Sequence, residues 1–200
     1  AFTRVPTGGG PAVGWLPYDA AQGLAPGEVA VLFLGGVTGE APQCPVDSAV
    51  PNGAFNGTGI GDAFHITTDV PVVAYQMNPV GGVASAVPGA SLLLPTSVWS
   101  TNYVAVNAAP RSVLTGPWPP EASWPSLNII ARDDDTVVTI VPVASVNPGP
   151  GVSGGAASEP FQIALDRGQH AQISQATELT GSVVTSNKPV GFMAGHLCMS

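Results

Sequence analysis

This chain of 200 residues carries only 9% Asp, Glu, Lys and Arg, against about 25% in an ordinary soluble domain. Its net charge is −8 with 5 basic residues. That argues against nucleic acid, which needs Lys and Arg to displace counterions from phosphate, and against an anionic membrane surface. No apolar run approaches the ~20 residues of a transmembrane helix, so no membrane insertion is expected, and 25 Gly with 21 Pro leave helices little room.

In chain order, residues 1–27 are rich in Gly and Pro, with Trp15 and Tyr18 as anchors. Residues 28–34 read as a buried strand that stops at Gly35-Gly36, and 35–61 as loop. Residues 64–67 alternate, with Phe64 and Ile66 on one face and His65 and Thr67 on the other, the period of a half-buried strand. Residues 71–77 return. Residues 78–89 are a second loop, Leu92-Leu93-Leu94 a short buried strand, and 95–100 one helical turn.

Beyond it, 103–107 is a strand and 111–125 a Pro/Trp-rich excursion. Residues 127–131 and 136–141, joined by Arg132-Asp133-Asp134-Asp135, predict a hairpin. Residues 147–158, rich in Gly, Pro, Ser and Ala, read as a mobile loop. Residues 161–165 point Phe161, Ile163 and Leu165 inward; Asp166-Arg167-Gly168-Gln169 turns the chain and 170–174 runs back. Ala1-Phe2 is not a natural start, so the chain is read as a mature form or a fragment.

One phrase occurs twice. Phe64-His65-Ile66-Thr67-Thr68-Asp69-Val70-Pro71-Val72-Val73-Ala74-Tyr75 returns as Ser182-Val183-Val184-Thr185-Ser186-Asn187-Lys188-Pro189-Val190-Gly191-Phe192-Met193. Each copy reads strand, tight turn, strand: the Asp or Asn bonds its own backbone and the Pro presets φ. The expected fold is therefore all-β and antiparallel, with two similar β-sandwich-like lobes from an internal duplication. These span 1–98 and 99–200, the boundary lying near 95–100. A propeller-like arrangement is the alternative.

The wording also carries a resemblance. Gly59-Ile60-Gly61-Asp62-Ala63 leading into the first copy, Ser91-Leu92-Leu93-Leu94-Pro95-Thr96, Leu179-Thr180-Gly181 leading into the second, and Gly195-His196-Leu197-Cys198-Met199 resemble the IgGFc-binding N-terminal domain family. The likeness spans roughly residues 28–200 and is closest to its bacterial secreted or surface branch. It implies an all-β extracellular domain with no established catalytic residues. No motif here carries antibody binding over, so Fc binding is not expected from the residues.

Chemistry-bearing residues are few. Asp133, Asp134 and Asp135 would suit calcium as hard oxygen ligands, but the closing Glu of a calcium loop is missing and a solvated turn is the plainer reading; no cofactor is expected. His65 and His170 read as surface residues and His196 as structural. There is no Gly-x-Ser-x-Gly elbow and no His-Glu-x-x-His, so no enzyme is expected. Asn56-Gly57-Thr58 fits a glycosylation sequon and equally a turn. Cys44 and Cys198 pair with each other or with cysteines beyond Ser200. Trp118 and Trp124, in the Pro-rich excursion, are the candidate ligand contacts, because rigid aromatics anchor partners; plugging a sheet edge is the competing role.

Three functions compete. The first is a non-enzymatic extracellular or cell-surface binding or adhesion domain of a larger secreted protein, taking a protein or glycan ligand. The second is a structural protomer of an extracellular fibre, sheath or surface layer, whose partner is copies of itself. The third, a hydrolase with a dispersed site, has least behind it.

Overall fold

The structure is a computed structural model that describes residues 3–7, 14–36, 46–51, 57–78, 89–107 and 124–196. Every regular element longer than one turn is a strand among these residues, as the Gly, Pro and β-branched content predicts. The strands are β1 (Thr3–Thr7), β2 (Gly14–Pro17), β3 (Val31–Leu32), β4 (Gly35–Gly36), β5 (Val50–Pro51), β6 (Gly59–Asp62), β7 (Ala74–Asn78) and β8 (Gly89–Leu93). A 3₁₀ turn, Thr96–Val98, follows. Then come β9 (Ser100–Val104), β10 (Pro125–Ala131), β11 (Thr136–Val141), β12 (Phe161–Leu165), β13 (Gln169–Ser174) and β14 (Val183–His196).

The chain forms two compact units, Ala1–Ala54 with Val73–Leu93, and Phe55–Val72 with Leu94–Ser200. The first holds three small sheets: β2-β1-β3, the parallel pair β4-β5, and the hairpin β7-β8. Trp15 meets Phe33 edge-on, ring centroids 5.3 Å apart. The strand expected over 28–34 is shorter than its composition suggests, and the one expected at Leu92-Leu93-Leu94 is not buried: Leu92 of β8 and Leu94 just after it both face solvent.

The second unit is built around β14, 14 residues long. Pro125 to Ala131 of β10 run against His196 to Val190, and Val138 to Val141 of β11 run against Ser186 to Val183. Val184 lies between Ile140 and Tyr103, and Val190 between Ala131 and Ser100. Because β9 is continuous, β10 and β11 must follow one another along the same edge of β14, with β9 on the other. In the same way β12 and β13 follow one another along the far edges of β11 and β10, and β6 closes on β13.

This corrects the hairpin expected over 127–141. β10 and β11 do not pair with each other; Arg132-Asp133-Asp134-Asp135 is a corner where one long ladder bends. The second copy of the repeat is likewise not a hairpin. Ser186 to Pro189 form a bulge inside β14, with Thr185 opposite Asn102 and Val190 opposite Ser100. A bulge adds local bend and twist, and the three corners (132–135, 166–168 and 186–189) fall in line. There the sheet curls into a half-barrel.

Backbone groups freed by the bend are tied across the corners. Asp135 N–H donates to Asp166 Oδ1 (3.2 Å), and Arg167 N–H to Asp134 Oδ1 (3.1 Å). Val137 N–H donates to Asn187 Oδ1 (2.8 Å), whose Nδ2 donates to the Asp135 carbonyl (3.1 Å). Asp135 sits at φ 52, a left-handed position that Asp tolerates better than most residues.

Curling brings the inner positions of all these strands together. Leu127, Ile129, Val138, Ile140, Ile163, Leu165, Ile173 and Val184 are all essentially inaccessible. Each contributes about 1.5–3 kcal/mol of burial. Tyr103 stacks on Phe192 at 5.2 Å and donates its hydroxyl to the Val190 carbonyl. This is the inward alternation expected for Phe161, Ile163 and Leu165.

The segment 147–158 is also corrected. It packs, with paired bridges Val146–Gly155 and Gly149–Val152 and with Val152 fully buried. Small residues let it approach: a Cβ on Gly155 would meet the Phe161 ring at 2.7 Å.

The first copy of the repeat differs from the second. Residues 64–72 belong to no ladder and are exposed throughout; Phe64 is 51% and Ile66 48% accessible. Phe64 and Ile66 were expected to be buried on one face of a strand. The alternation is present, but no sheet covers it.

Candidate functional site

The outer face of the β6-β13-β10-β14 region follows from the same register. Alternation turns Ser126, Asn128 and Ile130 of β10 away from the core, and His170, Gln172 and Ser174 of β13 with them. Pairing sets Asn128 between Gln172 and Met193, and Ile130 between His170 and Gly191. Glycines 59 and 61 of β6 flank Gln172 and His170. The result is a half-buried polar row bordered by glycine. One wall is Trp99, whose ring lies so close over Gly191 that a Cβ there would meet it at 2.8 Å.

The row is hydrogen-bonded within itself and to residues 57–58. Asn128 Nδ2 donates to Ser126 Oγ (3.2 Å), which leaves Oδ1 to accept from His170 Nε2 (3.2 Å). Gln172 Nε2 donates to the Gly57 carbonyl (2.8 Å). Thr58 Oγ1 donates to the Ser174 carbonyl and accepts from Ser174 N–H, both at 3.1 Å. Amides, an imidazole and hydroxyls supply donors and acceptors without formal charge. Such a face suits neutral hydrogen-bonding groups, such as peptide amides or sugar hydroxyls, better than ions.

Burial lowers the pKa of His170, correcting its reading as a surface residue. The unfolded chain then binds a proton that the folded chain resists. The associated stability is complete above the unfolded value of 6.5 and is lost as pH falls below it toward the folded pKa. The expected result is that His170→Gln, compared with the parent by thermal melting, gains relative stability from pH 7 to pH 5. A difference that stays constant over that window refutes the assignment.

The residues singled out from sequence are placed unevenly. Trp118, Cys44 and Cys198 lie outside the described residues. Trp124 stands half-buried just ahead of β10, its indole Nε1 shielded and with no acceptor among the described residues. Asp133, Asp134 and Asp135 are at the bend, and their oxygens face protein donors. Asp133 Oδ2 accepts from Arg132 Nε and Nη2 at 3.0 Å each, and Lys188 Nζ donates to the Asp134 carbonyl. No group of three metal-ligating side chains occurs among the described residues. His65 is exposed on the unpaired segment, and His196 is half-buried at the end of β14. Asn128 and Gln172 escaped notice, although alternation in Ser126-Leu127-Asn128-Ile129 and His170-Ala171-Gln172-Ile173 marks both as outward positions.

The sequence profile described as IgGFc binding protein matches residues 89–200, which contain β8 to β14 and so the whole curled sheet except β6. The chain belongs to the IgGFc-binding family. The match begins after the first copy of the repeat and includes the second. The matched stretch thus contains the bent ladder of β10 to β14, with Asn128, His170 and Gln172 on its outer face. No curated protein and no solved structure matches the chain. No helix among the described residues is long and apolar enough to cross a membrane.

Proposed function

We propose that this chain is a non-enzymatic extracellular binding domain of a larger secreted or surface protein. Membership of a family described by its binding carries the reading. The face we assign to the ligand is the row Asn128, His170 and Gln172, because its uncharged donors and acceptors suit a protein backbone or a glycan. The family description makes immunoglobulin Fc the first protein to try.

The test is biolayer interferometry of the full chain against immobilised Fc and a panel of glycans, repeated with Asn128→Ala and Gln172→Ala. A ligand in the panel should bind the parent about tenfold more tightly than either variant, the loss of one or two hydrogen bonds. Binding by neither Fc nor any glycan, or equal binding by parent and variants, overturns the assignment.

A second reading, a structural protomer of an extracellular fibre, sheath or surface layer, has its own supporting observation. The outer face of the other half of the sheet is uncharged, and beside Thr139, Thr185 and Gln162 it carries an apolar row. Val104, Val183 and Val141 form one exposed row across β9, β14 and β11, at 63%, 45% and 38% accessibility.

A further inference from the structure

We propose that copies of this chain join head to tail by strand addition, segment 64–72 of one copy pairing with the free edge of β9 in the next. The inference rests on the protomer reading and gives it a mechanism. Donor and acceptor both belong to the second compact unit.

The acceptor is defined by backbone hydrogen bonds. Ala105 N–H donates to the Ser182 carbonyl, and Gly181 N–H to the Ala105 carbonyl. Ala105 therefore faces β14, and alternation turns the backbone groups of Val104 and Asn102 away from it. On that outer edge, among the described residues, Asn102 N–H meets only the Ser100 hydroxyl, at 3.4 Å. No described strand pairs there. Natural edge strands are guarded by Lys, Pro, bulges or inward charges; Ser100-Thr101-Asn102-Tyr103-Val104 has none of the charged or Pro guards. Next to it lie Val183 and Val141, then Thr185 and Thr139, so the acceptor face itself presents no charge to a docking copy. In a chain of net charge −8 this is a face where like-charge repulsion is least.

The donor is identified by sequence. Val183-Val184-Thr185 already pairs with Val104-Tyr103-Asn102 on the inner edge of β9. The first copy of the repeat places His65-Ile66-Thr67 at the same positions of the same phrase. That copy is exposed, unpaired and apolar on alternate residues, and no hydrogen bond holds 64–72 to the rest of the described chain. The counterpart of the phrase that pairs with β9 is thus offered to solvent, and the outer edge of β9 has no partner among the described residues. Strand addition of this kind draws affinity from main-chain hydrogen bonds and specificity from alternate side chains. Because donor and acceptor are different surfaces, the contact is heterologous and repeats from copy to copy, into a ring or an open chain.

Multi-angle light scattering on the full chain, with Ile66→Pro as donor variant and Val104→Pro as acceptor variant, tests the idea. Both sites are exposed and edge strands tolerate Pro on the outward side; Ile66→Lys and Val104→Lys serve where a Pro variant loses its circular-dichroism spectrum. The parent should form multimers, and each variant should run as a 20.0 kDa monomer. An equimolar mixture should give a capped dimer, since only one productive contact remains. Multimers that persist in the donor variant overturn the strand exchange and leave the protomer reading standing. A parent that stays monomeric at high concentration overturns both.

Discussion

Gly149→Ala is expected to destabilise the second unit by at least about 3 kcal/mol, lowering its melting temperature by about 10 °C or more. A Cβ on Gly149 would lie 1.9 Å from the Thr58 carbonyl oxygen and 2.5 Å from its carbon. Both are backbone atoms next to β6, so relief requires moving a strand rather than turning a side chain. The contact is braced from both sides. Gly149 exchanges two hydrogen bonds with Val152, at 2.9 Å each, and Ile60 N–H donates to the Pro150 carbonyl at 2.9 Å. Displacing this segment would also lift Val152 out of the core. Gly35→Ala is the control, since a Cβ there meets nothing within 4 Å among the described residues; it should change stability by less than about 0.5 kcal/mol. A Gly149→Ala melt within about 2 °C of the parent would show that 147–158 does not pack against β6 as described.

Gln175→Leu should cost about 3 kcal/mol, although leucine nearly conserves the volume. Gln175 is among the most deeply buried polar residues. Its Nε2 donates to the Ser145 carbonyl (3.1 Å) and the Thr177 carbonyl (3.2 Å), and its Oε1 accepts from Asn147 N–H (3.1 Å). One amide thus satisfies three backbone groups of two loops. Leucine leaves all three buried without a partner, and each such group costs about 1–3 kcal/mol. Amide hydrogen exchange gives a local readout: Asn147 should lose protection in the variant well before the β10–β14 ladder does. Unchanged protection at Asn147 would mean that water replaces the side chain there. Asn107 plays the same part nearby, donating to the Ser126 carbonyl and accepting from Leu179 N–H.

Much of the strand pattern was legible along the chain. Phe161, Ile163 and Leu165 alternate and are buried; 127–131 and 136–141 are strands within two residues of their expected ends. What failed was the pairing. A short polar turn between two strands looks the same locally whether the strands fold back on each other or continue along a third. Here β14 is long enough to serve β10 and β11 in turn, and its length was hidden by the Asn-Lys-Pro signal in its middle. The loop 147–158 was misread for a related reason. Glycine supports mobility where nothing is near and close contact where a neighbouring backbone passes, and only the Thr58 contact distinguishes the two. The polar row was hidden because Asn128 lies on β10, His170 and Gln172 on β13, and register alone makes them neighbours.

The all-β class, the family, the low charge and the inward face of most strands are readable along the chain, since these depend on composition, wording and period-2 alternation. Tertiary structure decided the partners. The two copies of Thr-Thr/Ser-Asp/Asn-x-Pro show why: one is a bulge in a central strand, and the other lies in the open. A backbone hydrogen bond to another strand is only slightly better than one to water, so a strand-forming phrase has no place of its own. It becomes a strand where a free edge and a buried face meet it, and those are supplied by residues far away in the chain.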